Sequence, residues 1–202
     1  PLRSSAASDV YKRQLITIVT VTLNCAHTLK STIDSIKIIK DSDYGVEYII
    51  IDGGSTDGTL DIILSNSNVI DKHISEKDSG VYSAMNKGIR IAKGNFLIFL
   101  NGDDQFIPKN FLKSLNLLNN NSVDVFSFSC LTSDSKKNSF KLTPSLWKIF
   151  FYNSIPHPST FIKYSVIKKY LYREDLRIAS DYYLFLNLII KKYNFKTNKI
   201  PM

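Results

Sequence analysis

Three short runs of apolar and β-branched residues, 15–23, 46–51 and 96–100, each end abruptly in a turn of amide, acidic and glycine residues. Runs this short and this uniformly apolar read as strands buried on both faces. Helical periods separate them. Residues 26–39 put Leu29, Ile33, Ile36 and Ile39 on one side, and residues 81–92 form a second helix with Gly94 expected as its cap. Ser55-Thr56-Asp57 offers N-cap chemistry for a helix to about Leu64, and Pro108 sits well at the first turn of another. Residues 69–74 and 123–130 read as further strands, and 180–190 as a helix with Leu184 and Leu188 on its apolar side. Strand and helix in alternation imply an α/β fold: three layers, α/β/α, around a mostly parallel mixed sheet.

The pattern weakens after residue 131, and residues 133–139 read as a polar loop. Residues 1–14, PLRSSAASDVYKRQ, follow neither period and read as an adaptor-derived tail. One domain is therefore expected over residues 15–202, with no terminating signal at residues 199–202, so that a longer chain is expected there.

Open α/β sheets bind ligands at the carboxyl ends of their strands. Three polar turns fall there: Thr22 to Asn24, Asp52 to Asp57, and Asn101 to Asp104. Two readings stand for Asp52, a hydrogen bond to a base or ribose, or stabilisation of its own turn. Gly53 and Gly54 permit close backbone approach in either case. The turn lacks the GxGxxG pattern, which argues against a nicotinamide or flavin cofactor. Asn101-Gly102-Asp103-Asp104 suits a hard cation such as Mg²⁺ or Mn²⁺, or ordinary turn chemistry.

Composition narrows the partners. The formal net charge is +8. From Lys136 onward thirteen lysines and arginines face only Glu174, Asp175 and Asp181. That imbalance favours an anionic partner or, as the plainer reading, a solvated lysine-rich surface. Trp147, Phe150, Phe151 and Tyr152, with Lys148, read as core packing, the commoner fate of aromatics, or as an acceptor-side or membrane-facing patch. Cys25 and Cys130 stand far apart without zinc spacing, which makes a reducing, cytoplasmic setting the default. No apolar run reaches the ~20 residues that span a bilayer.

Taken in order, several segments resemble the bacterial family 2 glycosyltransferases of the GT-A fold. Ile16-Thr17-Ile18-Val19-Thr20-Val21-Thr22-Leu23-Asn24 resembles the opening strand, and residues 49–59, IIIDGGSTDGT, the nucleotide-binding turn. Residues 75–89, SEKDSGVYSAMNKGI, are similar to the segment that crosses the donor pocket, and FLNGDD, residues 99–104, to the metal-binding DxD region. Pro156-His157-Pro158-Ser159-Thr160-Phe161 and Ala179-Ser180-Asp181-Tyr182-Tyr183 resemble acceptor-side elements. The resemblance covers about residues 15–190.

It implies a nucleotide-sugar site at Thr20, Thr22, Asn24, Asp52, Gly53, Asp78, Asn86, Lys87, Asn101, Gly102 and Asp103. It implies Asp103 as ligand of Mg²⁺ or Mn²⁺, His157 and Asp104 toward acceptor or diphosphate, and Asp181 as catalytic base. Two departures stand out. Asn101 replaces the first aspartate of DxD, and Ser83 stands where many relatives carry an acid, leaving Asp78 as the polar contact there. For His157 the alternative is a structural turn histidine, and for Asp181 a helix N-cap or first-turn acid.

The implied reaction is an inverting transfer from a nucleotide-diphosphate sugar, a UDP-sugar above others, to a hydroxyl of a glycan or lipid-linked acceptor in bacterial surface polysaccharide synthesis. Peripheral contact with the inner membrane face is expected with it. A nucleotide-sugar pyrophosphorylase would need a glycine- and arginine-rich loop after the first strand, where Thr22-Leu23-Asn24-Cys25-Ala26 stands. The charge alone fits a nucleic-acid-binding module, but no such motif is present, and nucleic acid is not expected as a partner.

Overall fold

The computed structural model describes residues 16–42, 44–118, 122–133 and 139–202. The expected tail, Leu15, and residues 134–138 of the polar loop with Lys136 and Lys137 lie outside them. β1 (Ile16–Thr22) runs parallel to β2 (Val46–Asp52) on one side and to β4 (Phe96–Asn101) on the other; β3 (Lys72–Ser75) joins β2, again parallel. Beyond β4 the sheet turns antiparallel. β7 (Thr160–Lys163) pairs with β4 and with β5 (Val125–Ser133), which also pairs antiparallel with β6 (Ser139–Leu142) and parallel with β8 (Phe195–Pro201). The order is β3-β2-β1-β4-β7-β5-β6, with β8 on β5.

The central strands sort their side chains strictly by alternation. Ile16, Ile18, Tyr48, Ile50, Ile98 and Leu100 face α1 (Leu29–Lys40), α2 (Thr59–Ser65) and α4 (Pro108–Leu118). Val19, Val21, Ile49, Ile51, Leu97 and Phe99 face α3 (Val81–Ile91) and α6 (Ser180–Ile190), with the single turn α5 (Tyr164–Ile167) packed nearby. Both faces are covered, which is why these strands carry no polar alternation. The expected three layers and mostly parallel mixed sheet are present.

Four details differ from the sequence reading. α1 begins at Leu29 rather than Ala26, because the Cys25 carbonyl first accepts the N–H groups of Thr28 and Leu29 in a turn. Gly94 does not cap α3. Ala92 ends that helix in an extended conformation, and Gly94 is a close-approach residue whose added Cβ would sit 2.5 Å from the Thr17 backbone nitrogen. β6, β7 and β8 went unforeseen, since an exposed four-residue strand, another after two prolines and a polar, half-exposed edge strand carry little periodicity. Finally, of the 147–152 segment only Ile149 enters the core; Trp147 is 71% and Phe151 69% exposed, so core packing of these aromatics is corrected.

Candidate active site

Register carries four strand ends to one edge of the sheet: Thr22 pairs with Asp52, Asp52 with Ser75, and Val21 with Asn101. The turns that follow are laced together. The Asn24 backbone, at φ 53°, donates to Ser55 Oγ at 2.8 Å, and the Asn24 amide oxygen accepts from Thr56 N at 3.0 Å. Asp57 accepts from Ala26 N and from Thr59 N and Oγ1, at 2.6–3.1 Å, so the expected capping chemistry at α2 comes from Asp57, just ahead of Gly58. On the other side, Thr28 Oγ1 donates to the Gly102 carbonyl at 2.9 Å and Thr32 Oγ1 to the Asp104 carbonyl at 2.7 Å. The first turns of α1 thereby fix the 102–104 backbone.

A cleft of about 210 Å³ opens on this edge between β1, β4 and the start of α3, lined by Thr22, Asp78, Gly80, Asn101, Gly102 and Asp103 among others. Gly102 is obligatory here: an added Cβ would lie 2.6 Å from Thr22 Oγ1 and 3.2 Å from Cys25 Cβ. Thr22 Oγ1 is buried without a hydrogen-bond partner among the described residues. An orphaned buried hydroxyl in the cleft lining is an exception to the rule that buried polar groups are paired, and it makes Thr22 a candidate ligand contact. Asp78 Oδ1 accepts from Gly80 N at 2.9 Å, and its other oxygen lies 3.0 Å from where a Gly53 side chain would be. Asp103 is exposed, and no hydrogen bond or ion pair among the described residues engages its carboxylate.

A second cavity of about 600 Å³ lies beside the cleft, and Asp104, His157 and Asp181 share its wall. A hydrogen bond links the two linings, Asn101 Nδ2 of the cleft donating to Asp104 Oδ2 of the cavity at 3.0 Å. Adjacent aspartates thus face different chambers. Burial, and secondly the charge of Asp103, raises the Asp104 pKa from its ordinary value. An aspartate at position 101 would add a third negative charge here; the amide instead donates to one.

Asp181 lies in the first turn of α6, but its oxygens turn away from the helix. Tyr82 Oη donates to Oδ1 at 3.1 Å and Asn153 Nδ2 to Oδ2 at 2.9 Å. That geometry disfavours the capping alternative. Behind it, Tyr82 stacks on Tyr172 at 5.6 Å, and Tyr172 Oη pairs with His157 Nε2 at 2.7 Å. The His157 ring stacks on Phe99 at 5.3 Å. Desolvation pushes its pKa down to about 4 against the opposing pull of Asp181, so it is neutral at pH 7. A cationic diphosphate clamp at this residue is not what the environment supports. Burial and the Asp181 charge raise the Tyr82 and Tyr172 hydroxyls together.

Four expected donor-site residues are committed elsewhere. Thr20 is fully buried and accepts from Tyr48 Oη at 3.2 Å. Asn86, 1% exposed, donates to the Tyr172 carbonyl and Glu174 Oε1 and accepts from Tyr172 N, all at 2.8–2.9 Å, stapling α3 to the 172–174 segment. Lys87 pairs with Glu76 at 2.9 Å. Asp52, also fully buried, accepts from Gly54 N, Ser55 N, Ser55 Oγ and Ser75 Oγ, which corresponds to the turn-stabilising one of its two readings. The acid missing at Ser83 is supplied from a distance. Glu174, held below its usual pKa chiefly by the Asn86 hydrogen bond and with Ser83 contributing, also accepts from Ser79 Oγ at 3.4 Å. Tyr82, Asn153, Tyr172 and Glu174 were missed in the sequence; only Tyr82 lay inside a quoted motif.

Among the described residues no group of three His, Cys, Asp or Glu side chains converges as a metal site. Mg²⁺ typically takes one or two carboxylates plus substrate phosphates and water. The free Asp103 carboxylate, with the Asn101 amide on the same cleft, is a donor set of that kind.

Comparison with known proteins gives a consistent result. A family profile described as glycosyl transferase family 2 matches residues 17–186. A PGL/p-HBAD biosynthesis glycosyltransferase of Mycobacterium bovis is 39% identical over 97 residues, 45% of this chain and 36% of the relative. The crystal structure of S. aureus TarS 1-349 in complex with UDP superposes with TM-score 0.76 at 16% identity, covering 93% of this chain and 58% of that one. The mannosyltransferase PcManGT from Pyrobaculum calidifontis, in complex with GDP-Man and Mn²⁺, gives 0.69 at 16% identity, covering 93% and 57%. These likenesses show a GT-A fold. The chain spans about a third of that curated relative and just over half of each solved structure.

Proposed function

The chain belongs to glycosyl transferase family 2, and from that premise we propose that it is a glycosyltransferase that moves a sugar, with inversion, from a nucleotide-diphosphate donor to a hydroxyl of a glycan or lipid-linked acceptor. The observation that carries the reading is the split at the end of β4: Asp103 faces the small cleft, while Asp104 shares the large cavity with Asp181. We assign the cleft to the donor and the cavity to the acceptor. TarS with UDP and PcManGT with GDP-Man support a nucleotide-sugar donor, and a UDP-sugar is our first choice. The Mycobacterium relative, named for PGL/p-HBAD biosynthesis, supports a surface-glycan product.

In this reading Thr22, Gly53, Asp78, Asn101 and Gly102 line the donor's path, and Asn24 and Asp52 hold its floor. Asp181 takes the proton from the acceptor hydroxyl as that oxygen attacks the anomeric carbon. The bond from the anomeric carbon to the diphosphate oxygen breaks, and the nucleoside diphosphate leaves with the electron pair. Asp103, helped by Asn101, would hold Mg²⁺ or Mn²⁺, which when bound offsets negative charge on the leaving diphosphate. Tyr82 and Asn153 hold the Asp181 carboxylate toward the cavity, and neutral His157 forms its wall.

The test is nucleotide binding with and without Mn²⁺. UDP should raise the melting temperature, more so with Mn²⁺, and Asp103→Asn should remove the Mn²⁺ increment while leaving the metal-free response. Equal Mn²⁺ enhancement in that variant would move the ligand role to another residue. No response to any nucleoside diphosphate would reject the donor cleft.

A further inference from the structure

We infer that the exposed aromatic turn at residues 147–152 docks the chain on an anionic bilayer, with the larger cavity opening beside the contact. This deepens the lipid-linked acceptor reading and rests on it for its purpose. The docking itself stands on the following geometry.

Trp147 is 71%, Phe151 69%, Tyr152 52% and Phe150 51% exposed. The rings form one patch: Trp147 meets Phe151 at 5.6 Å and Phe150 at 6.4 Å. Apolar residues scattered singly on a surface are ordinary, but a contiguous aromatic patch marks a contact. Among the described residues nothing covers it. The turn is also pre-formed. Ile149 is fully buried beneath it, the Ile149 carbonyl accepts from Tyr182 Oη at 2.9 Å, and Ser145 and Ser154 close the base through two hydrogen bonds at 2.6–3.2 Å. The backbone of the turn is therefore set before contact, which lowers the ordering cost of docking.

The chemistry matches the boundary between water and lipid. Tryptophan and tyrosine favour that zone, phenylalanine enters the acyl region, and a lysine keeps its ammonium at the phosphates. Lys148 sits within the turn, exposed, and lines the cavity together with Tyr152, Lys141, Leu131 and Leu142. Charge selects the occupant. From Lys136 onward, the stretch that carries this turn, the chain has thirteen basic residues against three acidic ones, one of which, Asp175, is paired with Arg173. A second copy would bring like charge, whereas anionic headgroups bring the complement, about 1 kcal/mol per nearby lysine. Asn153, at the end of the turn, bonds Asp181, so the patch and the reacting carboxylate lie at opposite ends of one short segment.

Trp147 is the chain's sole tryptophan, so its fluorescence reports the patch directly. Phosphatidylglycerol vesicles, without sugar nucleotide present, should shift Trp147 emission to the blue, and brominated acyl chains should quench it. Phosphatidylcholine vesicles should bind at least about ten-fold more weakly, as expected when two or more lysines contribute. The double variant Phe150→Ser/Phe151→Ser should bind phosphatidylglycerol vesicles at least about ten-fold more weakly in co-sedimentation, given the apolar area removed, with an unchanged melting curve. Emission and quenching unaffected by phosphatidylglycerol would overturn the inference. So would a blue shift that grows with protein concentration in the absence of lipid, which places a second copy on the patch, or undiminished sedimentation of the double variant. UDP binding measured on the same protein keeps the two readings apart. Lost insertion with intact UDP binding rejects the docking alone, and insertion without UDP binding rejects the donor cleft alone.

Discussion

The small cleft and the large cavity meet at the Asn101–Asp104 bond, yet they are built by different means. The cleft is made from strand ends that four parallel strands bring into register, and its floor is backbone laced by Asn24, Ser55 and Asp57. The cavity is made from side chains on irregular segments: Asp104 after β4, Asn153 after the aromatic turn, His157 between two prolines and Asp181 on α6. A site made of register is fixed by the same alternation that makes the core. A site made of long-range side-chain contacts depends on each member being held by its neighbours. Substitutions should therefore act locally in the cavity and globally around the cleft.

Asp181→Asn should give the largest effect and should separate the two regions most cleanly. If Asp181 is the base, transfer falls about 10²–10⁴-fold while donor affinity stays near that of the parent. Asparagine caps helices well, so a capping role would leave turnover and stability unchanged. Steady-state transfer beside UDP titration reads both. Tyr82→Phe should produce a smaller loss in the same direction, because it frees one oxygen of the same carboxylate without moving the cleft.

His157 makes the cavity sensitive to pH. Its folded pKa, about 4, lies below the ordinary value near 6.5, so between those values the unfolded chain holds a proton that the folded chain lacks. Stability is full above pH 6.5 and is lost as pH falls toward 4, by roughly 3 kcal/mol in total. Asp104 works with the opposite sign, since its raised pKa favours proton uptake in the folded state. His157→Gln should flatten the acid side of the stability curve measured by urea unfolding. A curve identical to the parent's would show that the ring is solvated rather than held among Phe99, Tyr172 and Phe185.

The sequence made the cleft legible and the cavity only partly so. Uniform apolar runs announce strands covered on both faces, and strand ends announce a ligand edge, so Thr22, Asn101, Gly102 and Asp103 could be placed before any coordinates. Within the quoted motifs, however, spacing does not say which face a residue takes. Thr20 alternates into the core toward Tyr48, and Asn86 points from α3 into the 172–174 segment. Asp181 was found through its motif, but its partners were not. Tyr82 lies 99 residues away and Asn153 28 residues away, and no local period records contacts of that range. The aromatic turn escaped the pattern for a related reason: Ile149 is its one buried side chain, and a single apolar anchor has no periodicity.

Asn86 and Lys87 put that lesson to its finest test, because they are neighbours on α3 expected to share one role. Asn86 is buried with three hydrogen bonds, so Asn86→Ala should leave Tyr172 N and its carbonyl without partners and cost about 1–3 kcal/mol of stability. Tyr172 would loosen with it, and the loss should reach the His157 side of the cavity before it reaches nucleotide binding. Lys87 instead makes an ion pair with Glu76, whose side chain is 59% exposed. Pairs so open to water contribute little, and salt screens them further. Lys87→Met keeps the aliphatic stem and removes only the charge. We expect UDP affinity to stay within about two-fold of the parent and stability to change by well under 1 kcal/mol. A marked fall in UDP affinity at unchanged stability would show that the ammonium leaves Glu76 for the diphosphate when donor binds, which would extend the cleft along α3 beyond the strand ends.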